Sequence, residues 1–373
     1  MMKTDAVGLY IHIPFCLKKC AYCDFTSFPV CDFSGREKYI DVLCEEISSY
    51  KSHNVTLDTI FFGGGTPSIL TGDEFAKISA AISNSFKIAP GVEFTMEANP
   101  GTLSRENLSK YFECGVNRLS IGLQSIHENE LKNLGRIHNY NDFVKSYTMA
   151  RELGIDNINI DLMYGIPKQT AESFRSTLSN VISLEPDHLS VYGLILEPGT
   201  PLYQRAEDLV LPSEDEEVDM YYRAADMLSC AGYEHYEISN YSKNGKRCAH
   251  NMKYWCLDEY IGVGLSAHSF YRGNRYYNSS IPNEYFSRVG KGYMCNPNEE
   301  YDQAFEYVML GLRTADGISL SEYKGRFACD FLDGRIDKLK KLSDLGLISM
   351  ENNYLRLTER GFYVSNTILS ELL

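Results

Sequence analysis

Short apolar runs alternate with helical stretches along most of the chain. The strand-like runs are Val7–Ile13, Thr59–Phe62, Val92–Ala98, Arg118–Leu123, Asn157–Met163 and His188–Leu194. Asn157-Ile-Asn-Ile-Asp-Leu-Met alternates with period two, as a strand does. After the first run, Ser34 can cap a helix with Glu37 three residues on, and Ile40, Leu43, Cys44 and Ile47 then share one face. Cys44 reads as a core residue on that basis. Six strand–helix repeats predict an α/β fold, a parallel sheet curling into a partial, TIM-like (β/α)6 barrel. The acidic run Glu214-Asp-Glu-Glu follows Pro212 and Ser213. It reads as the first turn of a helix reaching about Cys230, where negative charge complements the helix dipole.

From about Asp302 the pattern changes to helix, helix, helix and hairpin, with Asn352-Asn353 at the hairpin turn, and then a final helix. That order is winged-helix-like, an α+β module. The expected organisation is therefore a barrel over residues 1–235, a connecting region over 236–300 and a C-terminal domain over 301–373.

Composition narrows the class. A chain of 373 residues with 44% hydrophobic and 23% charged residues is long enough for one large domain and one or two small ones. No apolar run approaches the roughly 18 residues of a membrane span. The opening Met1-Met-Lys-Thr-Asp-Ala-Val leads into a strand-like segment instead of a signal-peptide core. Eleven scattered cysteines do not form a secreted disulfide framework and suit a reducing cytoplasm. A net charge of −14 argues against nucleic acid as the main partner, so Lys338, Lys340 and Lys341 read as a solvated face.

The chemistry gathers just after the strands. The stretch Leu9-Tyr-Ile-His-Ile-Pro-Phe-Cys-Leu-Lys-Lys-Cys-Ala-Tyr-Cys carries Cys16, Cys20 and Cys23. Their C-x3-C-x2-C spacing lets one loop wrap three thiolates around three irons of a cubane, leaving the fourth iron open. The spacing alone also admits zinc or three buried thiols, although no fourth ligand lies close by at a structural-zinc spacing. Gly63-Gly-Gly-Thr-Pro, Glu97-Ala-Asn-Pro, Gly122-Leu-Gln-Ser and Asp161-Leu-Met-Tyr-Gly-Ile-Pro follow later strands. Barrel enzymes place their chemistry at this rim. Glycines there let backbone approach a ligand without a side chain in the way.

Together, the cysteine spacing and the glycine motif about forty residues on resemble the radical S-adenosylmethionine (SAM) superfamily. The resemblance implies a 4Fe–4S cluster on Cys16, Cys20 and Cys23, with SAM chelating the open iron. Leu-Tyr-Ile-His-Ile-Pro with Gly-Gly-Gly-Thr-Pro is similar to the branch of oxygen-independent coproporphyrinogen dehydrogenases, over nearly the full chain. By that likeness the SAM-binding residues are Tyr10, Tyr22, Gly64, Gly65, Thr66, Glu97, Gln124, Arg136 and Asp161. They supply the acceptors and the cation that a zwitterionic nucleoside needs.

Two departures separate the chain from those dehydrogenases. Phe25 stands where they carry a fourth motif cysteine, and only fifteen residues precede Cys16. Both point to the related HemW-type heme chaperones, as does His250-Asn-Met-Lys-Tyr-Trp255, which matches that branch's H-N-x-x-Y-W motif. The resemblance implies heme held by His250, Tyr254 and Trp255 and passed to a heme-requiring, for example respiratory, acceptor. It also implies an electron donor for the cluster, a homodimer, and contact with the membrane only through partners. From the residues alone, His250 also fits a core histidine, or a metal site with Cys248 and Cys256. His268 is a further candidate near the site. Because the histidine motif follows the barrel in sequence, its site is expected to be separate from the cluster.

Overall fold

The computed structural model describes residues 6–33, 35–288, 296–297 and 302–373. Ser34, the expected helix cap, and the opening residues 1–5 lie outside the described residues.

Six parallel strands form the centre of the molecule in sequential order. They are β1 (Val7–Ile13), β2 (Thr56–Gly64), β3 (Lys87–Ala98), β4 (Arg118–Gln124), β5 (Asn157–Tyr164) and β6 (His188–Gly193). Helices α1 (Arg36–Ser49), α2 (Gly72–Ser85), α3 (Arg105–Glu113), α4 (Tyr140–Glu152) and α5 (Ala171–Ile182) connect successive strands, and α6 (Glu214–Cys230) follows β6. This is the α/β partial barrel that the strand–helix repeats predict. The helices start where their sequences provide a cap. Thr71, Asn139, Thr170 and Ser213 each accept from the backbone N–H three residues on and receive a side chain in return. In α6 that reciprocal cap, Ser213 with Glu216, accounts for the acidic run as the first turn of a helix.

Alternation along the strands sorts their side chains into two sets. Leu9, Ile11 and Ile13 of β1 and Leu119, Ile121 and Leu123 of β4 face outward into the main hydrophobic core, with Phe62, Phe75 and Leu108. Tyr10, Glu97, Arg118, Ser120, Asn159, Asp161, His188 and Ser190 face inward and line a single cavity. That one cavity touches all six strands shows that the sheet curls around it.

Residues 234–297 extend both edges of the sheet. Asn240–Ser242 pairs antiparallel with β6, and Glu234–Glu237 pairs with it in turn. At the other edge Tyr260–Val263 runs parallel to β1. His268–Tyr271, Asn274–Tyr277 and Asn296–Pro297 follow, all antiparallel. Between these two additions the chain forms a short helix, α7 (Ala249–Trp255).

The C-terminal part has its own core, built on Tyr307, Leu312, Phe331, Leu339, Leu355 and Leu369, and joined by Tyr221 of α6 and Tyr260. Its three-stranded sheet pairs Ile318–Ser319 and Ile348–Glu351 with Tyr354–Leu357. Asn352 and Asn353 both take positive φ at the hairpin turn, 51° and 68°. That is the turn geometry a two-residue hairpin needs, and asparagine tolerates it.

Because α6 depends on one reciprocal cap, Ser213→Ala should lower stability by about 1 kcal/mol. The expected readout is a fall in the urea midpoint, and Ser213→Asp should recover most of it.

Candidate functional site

The cysteine loop leaves β1 and is fastened by backbone contacts. Gly65 N–H donates to Ile13 O at 2.8 Å, and Thr66 N–H donates to Phe15 O at 2.7 Å. Ala21 N–H donates to Leu134 O at 2.9 Å, and Ala21 O accepts from Leu202 N–H at 2.8 Å. A side chain at Gly65 would put its Cβ 2.6 Å from Phe15 O, so this glycine is what lets the two loops touch. Gly64 has φ +106°, and a Cβ there would lie 2.5 Å from the His12 ring. The glycine motif therefore holds the cysteine loop as well as exposing backbone to a ligand.

Cys16, Cys20 and Cys23 are free thiols lining the cavity mouth. Thr66 Oγ1 donates to Cys16 Sγ at 3.5 Å, and Arg136 Nη1 donates to Cys20 Sγ at 3.4 Å. The Thr66 contact favours the Cys16 thiolate. Burial acts the other way and raises the Cys16 and Cys23 thiols. A positive centre such as iron would restore thiolate character. Among the described residues no three His, Cys, Asp or Glu side chains converge as ligands of one metal ion. A cubane instead takes one thiolate on each of three irons, so three separated thiols on one short loop suit it. The chemistry of this donor set fits the cluster. Cys248, His250 and Cys256 do not form a metal site, since Cys256 is exposed while the other two are buried.

The nine residues expected to bind SAM all line the same cavity. Arg136 is half-buried and stays charged, its Nη2 donating to Asn99 Oδ1 at 2.7 Å and to Gly122 O. Asn99 Nδ2 in turn reaches Thr66 Oγ1 at 2.8 Å. Gln124 is buried with φ +69°, an unusual backbone conformation for a non-glycine at a strand end. Asp161 accepts from Ser120 Oγ at 3.2 Å and Asn159 Nδ2 at 2.7 Å, and burial raises its carboxyl. Glu97 accepts from Gly64 N–H at 3.2 Å. Burial, with the charge of Asp161, pushes its carboxyl up to about 8.

The histidine motif is not separate from this cavity. α7 folds into the barrel beside the N-terminal halves of the strands. Glu93 of β3 accepts from the Ala249 and His250 N–H groups, each at 3.0 Å. His250 is 0% exposed and packs on Phe61, ring centres 5.2 Å apart. Tyr10 stacks next to that pair, 6.5 Å from His250. His250 Nδ1 bonds Thr59 Oγ1 at 2.8 Å and Nε2 bonds Tyr254 OH at 2.8 Å. Burial lowers the imidazole to about 3, so it is neutral. His250, Asn251 and Tyr254 line the cavity that the cysteines line, whereas Trp255 does not. Trp255 turns towards the buried Glu237. Sequence order suggested separation, and the return of the chain to the β1 edge overturns it. His268 lies outside the cavity lining, exposed and stacked on Tyr277 at 5.3 Å.

Comparison with known proteins agrees with this geometry. The family model of the Radical SAM superfamily matches residues 10–181, and that of the HemN C-terminal domain matches residues 299–364. A heme chaperone HemW from Bacillus subtilis is 35% identical, covering 98% of both chains. One from Escherichia coli is 40% identical over 72% of this chain and 71% of its own. The chain belongs to the HemW heme chaperone family. Its fold also matches the Escherichia coli coproporphyrinogen III oxidase HemN, with TM-score 0.86 over 99% of this chain and 90% of that one, at 23% identity. Radical SAM membership implies a 4Fe–4S cluster and SAM. Among the described residues, no helix is long and apolar enough to cross a membrane.

Sequence reasoning about this HemW-family chain missed Asn99, Arg118, Asn159 and His188. All four line the cavity. His188 bonds Asn159 Oδ1 at 2.6 Å and Tyr236 OH at 2.7 Å, and its burial keeps it neutral. A signal existed. In Arg118-Leu-Ser-Ile-Gly-Leu-Gln and Asn157-Ile-Asn-Ile-Asp every second residue is polar or glycine, a mark of strands with one polar buried face.

Glu97 makes the stability of the cofactor-free chain depend on pH. Its folded value of about 8 stands above the ordinary 4.5. Between the two the folded chain keeps a proton that the unfolded chain has lost, so stability falls as pH rises through this window. Glu97→Gln should remove that loss. Its thermal midpoint relative to wild type should climb from about pH 5 to about pH 8 and then level. A pH-independent difference would show that the carboxyl titrates normally.

Proposed function

We propose that this chain is a heme chaperone that binds heme and delivers it to a heme-requiring protein, with a SAM-bound 4Fe–4S cluster in the same cavity. The observation that carries the reading is the joining of the cysteine rim and the histidine–aromatic motif in one space of about 540 Å³. That volume falls within the roughly 300–1,000 Å³ range of small-molecule sites.

In this reading Cys16, Cys20 and Cys23 hold the cluster, and Thr66 and Arg136 direct donors at its sulfur ligands. When bound, the cluster with SAM supplies one-electron chemistry at the open iron. Arg136 is placed for the SAM carboxylate, and Glu97, Gln124 and Asp161 for its ammonium and hydroxyls. Tyr10, Tyr22, Gly64, Gly65 and Thr66 complete the SAM cradle. His250 is the candidate axial ligand to heme iron. Its Nδ1 bond to Thr59 fixes the ring, and Nε2 becomes available when Tyr254 gives up its hydrogen bond. Tyr254 offers a flat face inside the cavity; Trp255 would support α7 from outside it. The domain division at 235 and 300, a cytoplasmic location, a reducing partner for the cluster and a homodimer belong to the same proposal. So does membrane contact made only through the heme acceptor.

HemN-like turnover of coproporphyrinogen III is the competing activity for this fold. Phe25 argues against it. It occupies the place of a fourth motif cysteine and lines the mouth of the cavity, 62% exposed. Anaerobically reconstituted protein should bind heme and leave coproporphyrinogen III unchanged in the presence of SAM and reductant. The reverse result would make the chain a dehydrogenase.

Two further outcomes test the assignments. Cys23→Ser should lose the 4Fe–4S absorbance, while Cys114→Ser, on the outer side of the sheet, should keep it. Asp161→Ala should weaken SAM binding about tenfold or more by calorimetry with cluster content intact. Asp161 is a cleaner probe than Gly64, where any side chain strikes His12.

A further inference from the structure

Arg118, the first residue of β4, stands apart from Arg136, Lys253 and Arg275, other cations drawn into the described fold. It is 2% exposed and lines the cavity. Its guanidinium Nε has no hydrogen-bond partner among the described residues, and no described residue accepts from its terminal nitrogens. Arg136 Nε is also without a partner, but its terminal nitrogens are engaged by Cys20, Asn99 and Gly122 O, while Lys253 is held by Asp58 and Arg275 by Glu306. Glu93 and Asp161 balance the Arg118 charge through space, not by contact. A buried guanidinium left without acceptors is costly. A fork of donors facing a cavity is therefore a place for an anion.

The surroundings define that anion. Asp161 lines the cavity and Glu93 faces Arg118 through space, so a doubly charged phosphate would meet more repulsion than a singly charged group. A planar, singly charged carboxylate matches the guanidinium fork and adds the least charge. The aromatic wall of Tyr10, Phe61 and Tyr254 beside it favours a carboxylate carried on a flat apolar body.

Two ligands of the proposed function carry carboxylates, and the fold separates them. SAM must present its amino-acid end to the open iron at the cysteine rim, where Arg136 touches Cys20. Gly122, whose carbonyl holds Arg136, lies four residues beyond Arg118 on the same strand. At about 3.3 Å per residue the two strand positions are roughly 13 Å apart. Arg136 is committed to the rim by Cys20, Asn99 and Gly122 O, which leaves the Arg118 fork for the other carboxylate.

We infer that Arg118 anchors a carboxylate of the second ligand, a propionate of the porphyrin, at the inner end of the cavity. The inference rests on the heme reading above and adds the polar contact that orients the macrocycle, with its propionate edge inward and away from the cysteine rim.

The test titrates wild type, Arg118→Gln and Arg118→Lys with heme, with heme dimethyl ester and with SAM. Thermal melts check that the variants fold, and the ester arm on wild type needs no substitution. Wild type should bind heme about tenfold or more tightly than its ester, as loss of a charged hydrogen bond implies. Arg118→Gln should bind the two alike and weakly, Arg118→Lys should fall between, and SAM affinity should be unchanged in both. If Arg118→Gln keeps the wild-type preference for the free acid, the propionate is held elsewhere; the inference falls while the heme reading stands. If heme affinity survives and SAM affinity drops instead, Arg118 serves the SAM carboxylate and the inference falls. A wild-type protein that takes up no heme overturns the heme reading and the inference with it.

Discussion

The architecture of the cavity depends on one carboxylate of β3, Glu93. Glu93 accepts from the first two N–H groups of α7, at 3.0 Å each, and so fastens the start of a helix whose first donors have no partner within the helix. Lys253, at the other end of the same helix, reaches Asp58 and the Ala6 carbonyl. With both ends pinned to strands, His250 is pressed between Phe61 and Tyr254 and held through Thr59. Loss of the Glu93 contact would free the helix and with it the inner wall of the cavity.

Placing so much polar chemistry inside a barrel has an energetic cost that the structure meets by neutralisation. Burial raises Glu97 and Asp161 and lowers His12, His188 and His250, so several of these groups shed charge near neutral pH. The two arginines keep theirs. A cavity with neutral histidines, partly neutral acids and two fixed cations at opposite ends suits ligands that bring their own carboxylates. The Asn159–His188–Tyr236 chain ties β5, β6 and the strand Glu234–Glu237 together by hydrogen bonds.

The rim and the interior are mechanically joined. The glycine motif touches the cysteine loop through Gly65 and Thr66, and His12 fills the space beside Gly64. Tyr10 links His12 to the aromatic wall by a hydrogen bond of 3.1 Å. A change in the cysteine loop can therefore reach the histidine motif through one strand, β1. This continuity joins the cysteine loop physically to the wall that carries His250.

Much of this was legible in the sequence, because the signals are local. Period-two alternation fixes which strand residues share a face, capping residues fix where helices begin, and the cysteine spacing fixes a loop with three thiols. Those are short-range constraints on backbone and chirality, and they carried the parallel barrel, the α6 reading of the acidic run and the gathering of polar motifs on one rim. Only the tertiary structure decided where residues 236–300 go. That segment adds strands to both edges of the sheet and sends α7 into the barrel, a choice made by long-range pairing with β1 and β6 and by the Glu93 contact. It thereby moved His250 from an apparently separate motif to the cavity wall and turned Trp255 away from it. It also revealed Arg118, whose meaning depends on which partners the fold brings near it and which it leaves out of reach. Sequence spacing cannot encode that absence, because it is a property of the space enclosed by six strands and not of any one of them.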